Sequence, residues 1–89
     1  MEFEWDAEKS AGNIRSRGLD FGAAPAVFDD PNRKIWEDAR RDYGEARYNM
    51  LGRLDGRVFF VTFTLRLDIV RIISFRKANQ RETDRYGVL

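Results

Sequence analysis

The chain has no cysteine and no histidine among its 89 residues. Without cysteine there is neither a disulfide framework nor a thiolate metal site, a composition that suits a reducing cytosol. Without histidine a zinc site would need carboxylates alone, so no metal and no other cofactor is expected. The side chain whose ordinary pKa best suits proton transfer at neutral pH is also missing. No long apolar run exists: the longest, residues 58–63, is broken by Thr62 and is far shorter than the ~20 residues that span a bilayer. The acidic opening MEFEWDAEK lacks the basic flank and apolar core of a secretory leader. A cytoplasmic protein without membrane contact is the expectation. Lysine is scarce too, with only Lys9, Lys34 and Lys77 among 16 basic residues. Arginine's planar fork grips phosphate oxygens bidentately and stacks on unpaired bases, so the bias leans toward nucleic acid.

What is present is a small, moderately apolar chain, 43% hydrophobic and 13% aromatic, of a size that forms one domain over residues 1–89. Its charge is unevenly distributed. Residues 1–31 carry seven acids against three bases, whereas residues 32–89 carry thirteen bases against eight acids. Such polarity lets one part of the surface attract phosphate while another does not. In the last third Arg66, Arg71, Arg76, Lys77, Arg81 and Arg85 are threaded through two apolar runs and the turn beyond them. A buried face claims alternate strand positions, so these cations must project from the other face or from strand ends, where several converge.

The hydrophobic period changes along the chain. Phe3 and Trp5 alternate with Glu2 and Glu4 as a short strand, after which Asp6 can cap a helix that places Ala7, Ala11 and Ile14 on one face and ends at Gly18. Asp20 can cap a second helix through Phe28 with Phe21, Ala24 and Phe28 inward, although Pro25 should kink it or delay its start. From residue 33 the period is two. Segments 34–39, 46–54, 57–67 and 69–75 read as strands joined by Asp42-Tyr43-Gly44, by Asp55-Gly56 and by a turn at Leu67-Asp68. Short connections force antiparallel neighbours, hence an α+β fold with a four-stranded meander and a closing helix within residues 78–86. On that tail Lys77, Arg81 and Arg85 have the i, i+4, i+8 spacing of one helix face, and Lys77 can pair with Glu82.

Six strings stand in this order: FEWD at 3–6, N-x-x-x-x-G at 13–18, VFDDP at 27–31, DYGEAR at 42–47, GRLDGR at 52–57 and RIISFRKA at 71–78. Together they resemble the BrnT family of toxins from type II toxin–antitoxin systems, over nearly the whole chain. The resemblance implies a RelE-like fold, endoribonuclease activity that inhibits translation and arrests growth, and neutralisation by a BrnA-type antitoxin. It further implies that this partner carries a ribbon-helix-helix domain, that the complex is a heterotetramer, and that operator DNA is reached only through the antitoxin.

Cleaving RNA without a metal requires removing the 2′-OH proton, stabilising a doubly negative phosphorane and protonating the departing 5′-oxygen. Arg66 and Arg76 match family arginines and are the candidates for phosphate stabilisation, with Lys77 and Tyr43 as further catalytic candidates. Arg40, Arg71, Arg17 and Arg81 are candidates for binding RNA. Family members carry histidine at the positions of Arg17 and Arg41; here Tyr43, Tyr86, Lys77 or Glu82 must handle the proton, or the chain is a weakened or inactive homologue that binds its antitoxin as a corepressor. Phe75 either stacks on a base or packs against the closing helix. Trp5 and Trp36 read as core or sheet-face residues, and the pairs Glu37-Asp38 and Asp29-Asp30 do not form a carboxylate dyad.

Overall fold

Alternation of apolar and polar residues from Lys34 to Lys77 dictates a sheet with one buried face, and a computed structural model, which describes residues 1–88, shows how it is covered. The elements run β1 (Glu2–Trp5), α1 (Ala7–Arg17), a 3-10 turn (Phe21–Ala23), α2 (Ala24–Val27), β2 (Lys34–Glu37), β3 (Arg47–Leu54), β4 (Arg57–Arg66), β5 (Ile69–Lys77) and α3 (Gln80–Tyr86). The sheet order is β1-β5-β4-β3-β2. The four later strands form the expected antiparallel meander, and β1 joins its far edge parallel to β5, making a mixed five-stranded sheet.

Local chemistry sets the boundaries. The Asp6 side chain accepts from the Glu8 and Lys9 amides and opens α1, while Gly18, at φ 70°, closes it in the left-handed conformation that a side chain disfavours. Pro25 sits in the first turn of α2, where its missing N–H costs nothing, so the expected second helix splits into the 3-10 turn and a short α2. Asp55 and Gly56 both have positive φ in the β3–β4 turn, as do Leu67 and Asp68 in the next one.

The core face gathers Phe21, Ala24, Val27, Met50, Phe59, Val61, Phe63, Val70, Ile72 and Phe75 beneath the 3-10 turn and α2. Phe75 is 1% exposed within this core, so it neither stacks on a ligand nor packs against the closing helix, which sits on the other face of the sheet. On the opposite face a smaller cluster, Leu51, Val58, Ala78 and Tyr86 with Trp36 and Phe60, seats α3 over one end of the sheet. The rest of that face is open.

Three expectations are corrected. Ile14 is 47% exposed, and the buried residue of α1 is Ser10, whose hydroxyl accepts from the Phe21 amide and donates to Asp20. The helix is tied to the sheet by polar groups, including Asn13 Nδ2 donating to the carbonyls of Leu19 (3.0 Å) and Phe75 (2.9 Å). Lys77 ends β5, and Asn79 starts α3 with a reciprocal capping box to Glu82, so Lys77, Arg81 and Arg85 do not share a helix face. Nor does Glu82 pair with Lys77; Arg76 takes it.

Candidate active site

The open sheet face carries both Arg71 and Arg76 because of one irregularity. Arg71 and Arg76 are five residues apart and would fall on opposite faces of a regular strand. Between Thr62 and Phe63 the β4–β5 register slips: Thr62 faces Ser74 whereas Phe63 faces Ile72, leaving Ile73 as the extra residue of a bulge. Arg71 is then opposite Thr64 and Arg76 opposite Phe60, both on the open face, while Ile72 and Phe75 both reach the core.

Successive rows cross this face. Leu51, Phe60 and Arg76 form one, Asn49, Thr62 and Ser74 the next, then Arg47, Thr64 and Arg71, and finally Arg66 beside the last turn. Arg66 lies six residues along β4 from Phe60, about 20 Å from the position facing Arg76. The structure therefore does not bring Arg66 and Arg76 to one phosphate.

It does bring Arg76 and Arg40 to one cleft. A depression of about 510 Å³ is lined by Trp36, Glu37, Asp38, Ala39, Arg40, Asn49, Phe60, Arg76 and Glu82. Arg76 holds both Glu82 carboxylate oxygens, at 2.8 and 2.9 Å, and lies over the Phe60 ring at 4.3 Å. The hydrogen bonds from Arg76 keep Glu82 ionised below its usual range, outweighing burial, and raise Arg76 in turn. On the other wall Arg40 donates to both oxygens of the buried Asp38, each at 2.8 Å. That bidentate contact pushes the Asp38 carboxyl far below, and the Arg40 guanidinium above, their ordinary values. Tyr43 reaches the same carboxylate through its hydroxyl at 3.3 Å, and Arg47 stacks on its ring at 4.1 Å.

The other candidates lie around this cleft. Arg71 pairs with Glu4 and Arg66 with Glu45, at 3.3 Å for the second pair. Arg17, with Lys9 and Asn13, lines a neighbouring depression of about 300 Å³ that also touches Arg76. Lys77, opposite Phe59, and Arg81 on α3 are exposed and line neither. Tyr86, considered as a proton carrier, is buried beneath α3 with its hydroxyl on Asp30 at 2.5 Å, out of the cleft. Among the described residues no group of three or more acidic side chains gathers to hold a metal ion.

Sequence reasoning missed Asp38, Asn49, Phe60 and Trp36 as cleft residues, and set Asp38 aside because Glu37-Asp38 has no dyad spacing. The signal was the Asp38-x-Arg40 spacing, which lets a residue leaving a strand grip an arginine two positions on.

Residues 5–82 match the model of a family described as the ribonuclease toxin BrnT of type II toxin–antitoxin systems. No curated protein matches the chain.

Proposed function

The chain belongs to the BrnT family of ribonuclease toxins of type II toxin–antitoxin systems, and we propose that it is a metal-independent endoribonuclease whose cleavage site is the cleft between Arg76 and Arg40. The observation that carries this reading is the pair of bidentate guanidiniums, Arg76 on Glu82 and Arg40 on Asp38, on opposite walls of one cleft. Each fork is filled by its carboxylate in the free protein, so the two cations serve a phosphorane only when RNA displaces Glu82 and Asp38 from them, a step that Glu82 assists when it takes up a proton and loses its charge. Arg47, Arg71 and Arg66 continue the open face as a track for the rest of a single strand.

Of the four groups weighed for proton transfer, Glu82 lines the cleft and Tyr43 stands beside it, whereas Tyr86 and Lys77 do not. Glu82 accepts the 2′-OH proton as the 2′-oxygen bonds to phosphorus. Tyr43 donates its proton to the 5′-oxygen as the P–O5′ bond breaks, leaving a cyclic phosphate and a free 5′-hydroxyl. A carboxylate held below its usual pKa is a weak base, so this chemistry is slow compared with that of relatives bearing histidine. Its partner is a BrnA-type antitoxin with a ribbon-helix-helix domain, bound in a heterotetramer through which operator DNA is reached, and the free toxin inhibits translation.

Cleavage of a defined RNA tests the site. Arg76→Ala and Glu82→Gln should each lower the rate on the order of 10²-fold or more. Arg66→Ala, at the far end of the face, should weaken binding and leave the bound rate near wild type. Arg76→Ala cutting as fast as wild type would place the chemistry elsewhere. A second reading, a binding form that no longer cuts, is favoured by the lack of histidine and by Glu82 occupying the Arg76 fork; wild type that binds its antitoxin but leaves RNA intact would establish it.

A further inference from the structure

The floor of the cleft carries a polar group that the proposed chemistry does not use. Asn49 is 4% exposed, and its side-chain carbonyl accepts from the Thr62 hydroxyl at 3.0 Å. Its amide nitrogen has no partner among the described residues, yet Asn49 lines the cleft. That nitrogen reaches solvent in the cleft, since among the described residues the one fully buried side-chain polar atom without a partner is Arg47 Nε, and it is free to donate to a ligand acceptor there. The neighbouring wall is aromatic, with the Trp36 and Phe60 rings meeting edge to face at 5.9 Å and 80°. Arg76 places its guanidinium carbon over the Phe60 ring and Arg85 over the Trp36 ring, 4.3 and 4.2 Å from the centroids.

We propose that Trp36, Phe60 and Asn49 form a nucleobase subsite that selects, beside the scissile phosphate, a pyrimidine with a keto oxygen at C4 over one with an amine there. Unstacked RNA bases are read by stacking on aromatic rings or guanidinium planes and by hydrogen bonds to their edges. Because Thr62 engages the Asn49 oxygen, the amide presents its N–H donors to the cleft. A keto oxygen satisfies them; an exocyclic amine, itself a donor, opposes them. Uracil and cytosine share a ring and differ at this edge, keto in one and amine in the other. The inference rests on the cleft being the RNA site.

Binding and cleavage are measured separately. In fluorescence anisotropy, wild type should bind a uridine hexanucleotide about tenfold more tightly than a cytidine hexanucleotide. Asn49→Ala should bind both alike, and Asn49→Asp, which offers only acceptors when ionised, should reverse the preference while Thr62 still holds the side chain. The ratio of affinities is the readout, so a general loss of affinity from the added negative charge cancels. Equal binding by wild type, or a uridine preference that survives Asn49→Ala, overturns the subsite. So does a uniform loss of both affinities in Asn49→Ala, which would place Asn49 on the backbone. Cleavage of a mixed-sequence RNA runs alongside: a protein that cuts without discriminating loses only the subsite, whereas one that neither binds nor cuts RNA overturns the cleft assignment itself.

Discussion

Tyr86 and Asp30 bind α3 to the loop before β2 and make the fold sensitive to pH at both ends. Asp30 accepts from the Tyr86 hydroxyl and from the amides of Arg53 and Asn32. Burial raises the Asp30 pKa, but the hydrogen bonds from Tyr86, Arg53 and Asn32 outweigh it and hold the group below its ordinary value. Asp38 and Glu82 are lowered by their arginines. Stability from these three is present above the ordinary carboxylate pKa of about 4 and is lost as pH falls through their lowered values. Tyr86 is raised, first by burial and then by its bond to Asp30. Its share is present below about pH 10 and is lost as pH rises through the raised value. Thermal melting should therefore show a plateau at intermediate pH with a fall on each side. Tyr86→Phe should flatten the alkaline fall and, by removing the hydrogen bond that does most to lower Asp30, reduce the acid fall in part, leaving the shares of Asp38 and Glu82. An alkaline limb unchanged by that substitution would show that Tyr86 does not set it.

At the scale of elements, the approach of α2 to β3 depends on one missing side chain. A Cβ on Gly52 would overlap Val27 Cγ1 and sit 3.1 Å from the Val27 carbonyl oxygen. Val27 is fully buried, so the helix would have to lift. Gly52→Ala should cost about 1–3 kcal/mol, lowering the melting temperature by several degrees, since ~1 kcal/mol shifts a domain of this size by about 4–8 °C. Gly12 is the contrast: inside α1 its added Cβ would meet only Arg15 Nη2, at 3.6 Å. Gly12→Ala should stabilise by about 0.5–1 kcal/mol through helix propensity. Equal effects of the two substitutions on the melting temperature would contradict this account of the packing.

For the whole molecule, the uneven charge of the sequence does not become two separate faces. β1 brings Glu2 and Glu4 to the edge of β5, where Glu4 pairs with Arg71. The open face is still the one that carries Arg47, Arg66, Arg71 and Arg76. An antitoxin that inhibits by covering this face competes with RNA through carboxylates, and its complex should weaken severalfold or more between about 0.05 and 0.5 M salt. Titration of the purified pair across that range checks it. A salt-insensitive complex would point instead to the apolar depression of about 320 Å³ on the other side of the sheet, which Ile35, Phe63 and Leu65 help to line. Among the described residues no helix is long and apolar enough to cross a membrane.

The sequence by itself determined the element order, because each boundary rests on contacts within a few residues. Asp6 and Gly18 bracket α1, Pro25 delays α2, and Asp55-Gly56 folds β3 onto β4 whatever the rest of the chain does. The family, too, was legible in strings kept in register. The site was legible only in part: an arginine-rich open face followed from alternation, but not which arginines meet. That depended on the slip at Ile73, which turns Arg71 and Arg76 to one side, and on the parallel pairing of β1 across some sixty-seven residues. It depended also on α3 swinging Glu82 onto Arg76. Such contacts are set by how the core packs once the strands are joined, and a pattern with period two records only which face a residue takes while the strand stays regular.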